Sequence, residues 1–385
     1  MKTVGIICEY NPFHMGHAKQ IRMIRDQYGS DCSIVCLMSG NYVQRGMPAI
    51  FDKSLRAEVA IRCGADLVLE LPVTYALSSA EGFASGGVMI LSGFCDELCF
   101  GTETGTKETL LSTAEALLSS EFIPALRAQL ETGISFPAAR QRALADLGID
   151  ASLLSNPNDI LAVEYCKAIL CQSSNMKPFP IVRQGNYHDT EPDPENPSAT
   201  AVREMIVGKH DWKSCIPEAA HTVFDGASIH TLSSGERAIL ARLRTMTDAE
   251  FEALLFGSEG LWRRLMHASR EYATLEEILT AVKTKRYTRT RLDRMVMCAF
   301  LGITREILES PAPYARVLGF NGTGRGVLKE ARETGHFPHI GENTDDAFQL
   351  LEQRCDDLYG LFREDTPDGP TQKRRVFILP QEKTV

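Results

Sequence analysis

Four apolar runs in the first hundred residues constrain the fold of this chain more than any other feature. They are "TVGIICEY" (3–10), "CSIVCLMSG" (32–40), "ADLVLELP" (65–72) and "DELCFGTE" (96–103), all rich in β-branched and apolar residues. Strands that are apolar almost throughout must be covered on both faces. The segments between them supply the cover, because "GHAKQIRMIRDQYG", "DKSLRAEVAIRCG" and "SSAEGFASGGVMILSG" carry helical spacing. The alternation predicts a parallel sheet between helices, with ligands at the carboxyl ends of the strands.

The rest of the 385 residues divides by pattern. A helical stretch is expected from about 106 to 148, then a capped helix at "NPNDILAVEYCKAIL" (156–170), and a strand and loop in "PFPIVRQGNYHDT". The segment "TEPDPENPSATAVREMI" (190–206) is rich in Pro and acid until a helix begins at Ser198 or Thr200. Beyond 207, "SSGERAILARLRTM", "TDAEFEALL", "EGLWRRLMHASREY", "TLEEILTAVKTKRY" and "RTRLDRMVMCAFLGI" read as consecutive helices. The expectation is an α/β domain over 1–206 and a mainly α-helical domain over 207–385.

No apolar stretch approaches the roughly 18 residues of a membrane span, and the N-terminus reads as a strand, not a signal peptide. A cytoplasmic protein with no membrane partner is expected. The eleven Cys are odd in number and contain no C-x-x-C, which points to reduced thiols and to no zinc or other metal site. A net charge of −9 argues against general polyanion binding, so contact with nucleic acid requires a local basic patch.

Directly after the first run comes "CEYNPFHMGHAKQ", Cys8 to Gln20. A Pro, two His and a Gly stand there at the mouth of a helix, where neither a turn nor a core needs two imidazoles. Gly16 lets the backbone approach a ligand closely. The helix start offers free N–H groups and the positive end of the dipole to an anion. His14 and His17 add donors for phosphoryl oxygens in an in-line displacement, each such donor worth about 10²–10³ in rate. The plain alternative is a helix-capping His followed by a packed one. Placement after the first strand of a βαβ pattern favours catalysis.

This H-x-G-H signature resembles the nucleotidylyltransferase superfamily, which includes the class I aminoacyl-tRNA synthetases. "PSATAVREMI" resembles the superfamily's S-x-T-x-x-R element, whose hydroxyls and Arg hold the β- and γ-phosphates. Ser198, Thr200 and Arg203 fit that role, Ser198 or Thr200 serving also as N-cap; a plain capped helix with a surface Arg is the alternative. Longer blocks narrow the resemblance. "CEYNPFHMGH", "SGNYVQRGMPAIFDKSLRAEVAIRCGADLVLELP", "SSAEGFASGGV", "CFGTETG", "NPNDILAVEY", "VRQGNYHD", "PSATAVRE", "KTKRYTRTRLDR" and "YARVLGFNGTGR" are similar to the bacterial tRNA(Met) cytidine acetate ligase family. The similarity covers roughly residues 3–330. Met15 departs from the family's usual Asn and Thr102 from its usual Ser, both flanking the chemistry.

The resemblance implies a Rossmann-like, HIGH-type nucleotidylyltransferase domain followed by a helical tRNA-binding domain. It implies an enzyme that uses ATP, with Mg²⁺ held chiefly by the triphosphate, to activate acetate as acetyl-adenylate. The acetyl group then passes to the wobble cytidine of elongator tRNA(Met). The family's ATP site maps onto Ile7, Cys8, Glu9, Tyr10, Asn11, Pro12, Phe13, His14, Met15, Gly16, His17, Ala18, Lys19 and Gln20, then Gly101, Asn158 and Arg183. Gly101 admits adenine or ribose at a strand end. Asn158 reads adenine or caps its helix, and Arg183 offers a fork for phosphate or a face for the base. Acetate is itself the nucleophile, so Cys8 as acyl carrier is disfavoured against simple packing. His188 and Asp189 stand as candidates for the base that deprotonates the cytidine amine, against a structural loop.

"KTKRYTRTRLDR" concentrates Lys283, Lys285, Arg286, Arg289, Arg291 and Arg294 around Tyr287. In an acidic protein this suits a phosphate backbone and a stacked base, the alternative being a solvated helix end. "GFNGTGRGVLK" (319–329), with Arg325 and Lys329, is a Gly-rich turn able to extend that contact. "QKRRVF" reads as tail, and "GNYVQRG" as a loop over the nucleotide site in which Arg45 meets phosphate or tRNA. Two other functions fit part of the pattern: adenylyl transfer to a small phosphorylated metabolite, and RNA binding without catalysis. The helical domain and basic run count against the first, and the two His and the S-x-T-x-x-R element against the second.

Overall fold

The computed structural model of the protein describes residues 1–182, 197–257, 260–310, 315–334, 347–365 and 376–380. The four apolar runs form strands β1 (Lys2–Cys8), β2 (Cys32–Ser39), β3 (Leu67–Leu71) and β4 (Glu97–Thr102), and Lys177–Val182 forms β5. All five run parallel to their neighbours in that group. Every residue of β2 and β3 is buried, as the unbroken apolar pattern requires of strands covered on both faces.

Two further strands come from beyond residue 207. Arg316–Phe320 (β6) pairs antiparallel with β3, and Phe377–Ile378 (β7) pairs parallel with β6. The complete order is β5-β4-β1-β2-β3-β6-β7. The sheet is thus not wholly parallel, and "QKRRVF" is not wholly tail, since Phe377 belongs to a strand. Covering the open edge of β3 is the physical reason, because its unpaired N–H and C=O groups need partners. The stretch after β6, expected as a Gly-rich turn, is a helix, Gly322–Thr334. Asn321 donates to Asp66 (2.8 Å), just before β3 begins, which sets the start of this helix at the amino ends of the parallel strands, opposite the ligand-binding ends. Arg325 there lies over the Phe320 ring, and Lys329 pairs with Glu333.

The order reverses between β1 and β4, and a crevice opens at such a switch point. Helices Met15–Tyr28, Lys53–Arg62, Ala80–Leu91 and Pro157–Cys171 cover the sheet. The later part of the sequence is mainly helical, as expected. Helices Leu232–Thr245, Leu261–Glu271, Leu275–Val282 and Arg289–Leu301 share a core of Ile239, Leu243, Leu265, Ile278, Leu292 and Met295.

Helix Ala347–Tyr359 joins the helical part to the sheet through ionisable groups. Lys53 bonds Glu70 (2.6 Å) and Asp356 (2.7 Å), Arg316 bonds Asp356 (3.1 Å), and the Glu352 carboxylate accepts the Val73 N–H (2.7 Å). Three acids face two bases. Burial, reinforced by the Glu70 carboxylate, pushes Glu352 up to about 8, so a proton on Glu352 balances the cluster at neutral pH. A carboxyl raised by folding contributes stability that is full below its ordinary value near 4.5 and is lost as pH rises through 8. Resistance to urea is expected to fall between pH 5 and 8 by up to about 1 kcal/mol per unit from this group. Denaturation curves of Glu352→Gln across that range should lack this contribution.

Candidate active site

After β1 the polypeptide turns through Tyr10, whose backbone is left-handed (φ 46°), and helix Met15–Tyr28 begins at His14. His14 is the N-cap: its Nδ1 accepts the Gly16 N–H (3.1 Å), while Nδ1 of His17 accepts the His14 N–H (3.2 Å). The two rings stack at 3.7 Å. A Cβ on Gly16 would stand 3.0–3.1 Å from the His14 ring, so only glycine lets the imidazole fold onto that N–H without displacement. With Nδ1 of each ring accepting, the proton of each neutral imidazole is assigned to Nε2. Capping and catalysis are therefore compatible readings, since the cap orients the ring.

A cavity of about 390 Å³ opens at the carboxyl ends of β1 and β4. Of the run 7–20, its wall contains Ile7, Cys8, Glu9, Tyr10, Asn11, His14, Gly16, His17, Lys19 and Gln20. Pro12 and Phe13 are buried behind it, and Met15 and Ala18 lie outside the wall. Phe83, Phe100, Leu161, Tyr165 and Ile181 make an apolar side, beside Gly101 and Asn158. A second space of about 150 Å³ shares Glu9, Asn11, His14, His17, Arg45 and Asn158 with the first and adds Thr200 and Arg203; Ser198 lines both. Arg183, His188 and Asp189 lie outside the described residues.

The late helix Ala199–Val207 is tied to the signature loop. Ser198 is its N-cap, accepting the Ala201 N–H (3.1 Å), and Arg203 donates to the Asn11 carbonyl (2.7 Å) and to Thr200 Oγ1 (3.0 Å). Asn158 does not cap its own helix, since its side-chain amide donates to Glu103 (2.6 Å). The next residue, Asp159, is not singled out by the sequence. Fully buried, it accepts the N–H groups of Glu103, Thr104 and Gly105 and the Thr104 hydroxyl, which pins the loop after β4. Burial opposes its charge, but bonds from Asn156, Thr104 and this backbone prevail and hold its carboxyl below the usual range. Cys8 is buried and its thiol pushed well up by that burial, an environment unsuited to a thiolate nucleophile.

Arg56 is a second residue that sequence reasoning misses. Its fully buried guanidinium donates to the carbonyls of Phe51 (2.9 Å), Ser39 (3.2 Å), Glu9 and Gly40, joining the ends of β1 and β2. The available signal is a charge on the apolar side of "DKSLRAEVAIRCG", among Ala57, Ala60 and Ile61.

The basic run separates into two groups. Lys283, Lys285 and Arg286 are exposed. Arg289 is paired with Glu276 and Asp293, and Arg291 donates to the Phe256 carbonyl while lying over the Tyr287 ring. Tyr287 and Arg294 are 8% exposed, so neither is presented to RNA as expected; Tyr287, just before helix Arg289–Leu301, packs into the helical core, and the helix turns Arg294 onto the Phe256 ring. Burial lowers Arg294 to about 10. Arg294 instead holds the "GNYVQRG" segment, which is a hairpin of Tyr42–Val43 and Met47–Pro48, by donating to the Gln44 carbonyl (3.3 Å). Gly46, at φ 77°, packs so closely that a Cβ would collide with the backbone of Asp293 and Arg294.

The model of the HIGH Nucleotidyl Transferase family matches residues 1–373. A tRNA(Met) cytidine acetate ligase of Clostridium novyi is 35% identical over 88% of this chain and 89% of its own length. One of Clostridium acetobutylicum is 36% identical over 98% and 100%. This chain belongs to the tRNA(Met) cytidine acetate ligase family. Among solved structures, TmcAL of Thermotoga maritima superposes with a TM-score of 0.89 at 29% identity, covering 98% of this chain and 100% of that one. The same protein bound with alpha-thio ATP gives 0.88 over 98% and 99%. The HIGH-type α/β fold with a helical C-terminal region is thereby the fold of the family.

Arg56→Lys keeps the charge but lacks the fork that reaches four carbonyls. It is expected to cost about 2–4 kcal/mol in urea denaturation, through backbone acceptors left buried without donors. ATP affinity, measured by calorimetry, should fall with it.

Proposed function

We propose that this chain is an ATP-dependent ligase that forms N4-acetylcytidine at the wobble position of elongator tRNA(Met). The observation that carries the reading is the pair of Nε2–H imidazoles shared by two adjoining spaces, in a protein whose curated relatives are tRNA(Met) cytidine acetate ligases. Adenosine occupies the larger space against its apolar side, with Gly101 and Asn158. The β- and γ-phosphates extend toward Ser198, Thr200 and Arg203 in the smaller one. Acetate attacks the α-phosphate, and His14 and His17 donate to its oxygens as charge develops. Mg²⁺ enters on the triphosphate.

Acetyl-adenylate then meets a cytidine that has left the anticodon-loop stack. Residues 1–206 are the catalytic unit in this proposal, and 207–385 hold the tRNA, with Lys283, Lys285 and Arg286 on its backbone in the cytoplasm. Adenylyl transfer to a small metabolite is not favoured, because the relatives at full length are ligases acting on tRNA.

Labelled acetate should enter unfractionated tRNA only with ATP, and nucleoside analysis should recover it as acetylcytidine. Label absent from RNA while another small acceptor drives pyrophosphate release would overturn the proposal. His14→Ala and His17→Ala are each expected to slow acetate-dependent ATP–pyrophosphate exchange by about 10²–10³. In filter binding, Lys285→Ala and Arg286→Ala should each reduce the salt slope of tRNA affinity by about 1. Arg294→Met should leave that slope unchanged and lower the urea midpoint.

A further inference from the structure

Glu9 stands where two anions must bind. It lines both spaces together with His14 and His17, at the junction that the reacting α-phosphate occupies under the proposed function. Acetate and triphosphate are each repelled by a bare carboxylate at that point. The other acid in the wall, Glu103, has a structural role, accepting from the Asn158 amide and from the Asp159 N–H. Glu9 differs. Its Oε1 accepts the Gln44 N–H (2.8 Å), which fixes the side chain, while Oε2 has no hydrogen-bond partner among the described residues.

We propose that Glu9 is the general base of the second half-reaction, removing the proton from the cytidine N4 amine. The inference rests on the ligase reading above. The lone pair of that amine is delocalised into the pyrimidine ring, so N4 is a poor nucleophile until its proton departs. As N4 bonds to the carbonyl carbon of acetyl-adenylate, the bond from that carbon to the phosphate oxygen breaks. AMP leaves with the electron pair. The N4 proton passes to Glu9 Oε2 and then to water, so that charge and atoms balance with no further reactant.

Two further observations support this assignment over a purely structural acid. The Glu9 backbone carbonyl is held by Arg56 and its Oε1 by the hairpin, so Oε2 has a defined position, as proton transfer requires. The hairpin that holds Oε1 is itself gripped by Arg294 of helix Arg289–Leu301. The base is thus anchored to the same helical region that is proposed to bind tRNA.

The test compares two half-reactions in the full-length protein. Glu9→Gln preserves shape and the acceptor for Gln44. ATP–pyrophosphate exchange with acetate, in the absence of tRNA, reports adenylate formation; single-turnover transfer from preformed acetyl-adenylate to tRNA reports the second step. Glu9→Gln is expected to slow transfer by about 10²–10³, at least tenfold more than it slows exchange. Glu9→Asp, which restores a carboxylate, should recover at least tenfold over Gln in transfer. Transfer that falls no further than exchange would overturn the inference and assign Glu9 to the nucleotide or its Mg²⁺. So would an Asp variant no better than Gln. Absence of both half-reactions in the unaltered protein would instead overturn the ligase reading itself.

Discussion

The site depends on one buried cation that has only carbonyl oxygens to bind. Where β1 and β2 end, backbone carbonyl groups lose their ladder partners, and each needs a donor if it stays buried. Arg56 answers three of them, and the Phe51 carbonyl before the next helix, from one planar group. Because these carbonyls belong to Glu9, Ser39, Gly40 and Phe51, a single side chain sets the relative heights of both strand ends and of the helix that follows. The loop beyond is fastened in turn. Asn11 accepts the Ile50 N–H through its side chain (2.7 Å) and Arg203 through its carbonyl (2.7 Å). The two histidines then need only the first turn of their own helix to be aimed.

Legibility in the sequence follows the range of the interaction. The apolar runs are readable because burial on both faces leaves a continuous local signature. His14, Gly16 and His17 are readable because a cap, a glycine and a second imidazole act within four residues. Ser198, Thr200 and Arg203 fall within six residues at the start of one helix in the same way. Arg56 and Asp159 are not, since what they bind is backbone brought near by tertiary packing: carbonyls in one case, N–H groups in the other. Strand β6 is hidden for a related reason, as its partner β3 lies far away in sequence and its own five residues precede a run of glycines. The basic run misleads at Tyr287 and Arg294 because charge density along a helix does not reveal which face is turned inward.

The hairpin at 42–48 links regions that the sequence divides. Its Gln44 gives its N–H to Glu9 and takes Arg294 at its carbonyl, so one residue is bonded on one side to the nucleotide site and on the other to the helical part. Gly46 permits the close approach that makes this possible. Any ligand-dependent shift of helix Arg289–Leu301 has a short covalent and hydrogen-bonded route to the reacting centre. Ionic contacts among Lys53, Glu70, Arg316 and Asp356 form a second tie between the sheet and the later part of the chain.

The late origin of β6 has a consequence for how the protein is made. As the polypeptide emerges from the ribosome, β1 to β5 are complete when less than half of it has been synthesised, yet the outer edge of β3 still waits for Arg316–Phe320. Throughout that interval a fully buried, mostly apolar strand of the finished fold carries unsatisfied hydrogen-bonding groups, the condition under which nascent polypeptides pair with one another. Its natural partner closes the edge only after most of the helical region has been translated. The nucleotide-binding half is therefore not a free-standing precursor to which a helical part is later added; its sheet is finished by the very segment that follows that part.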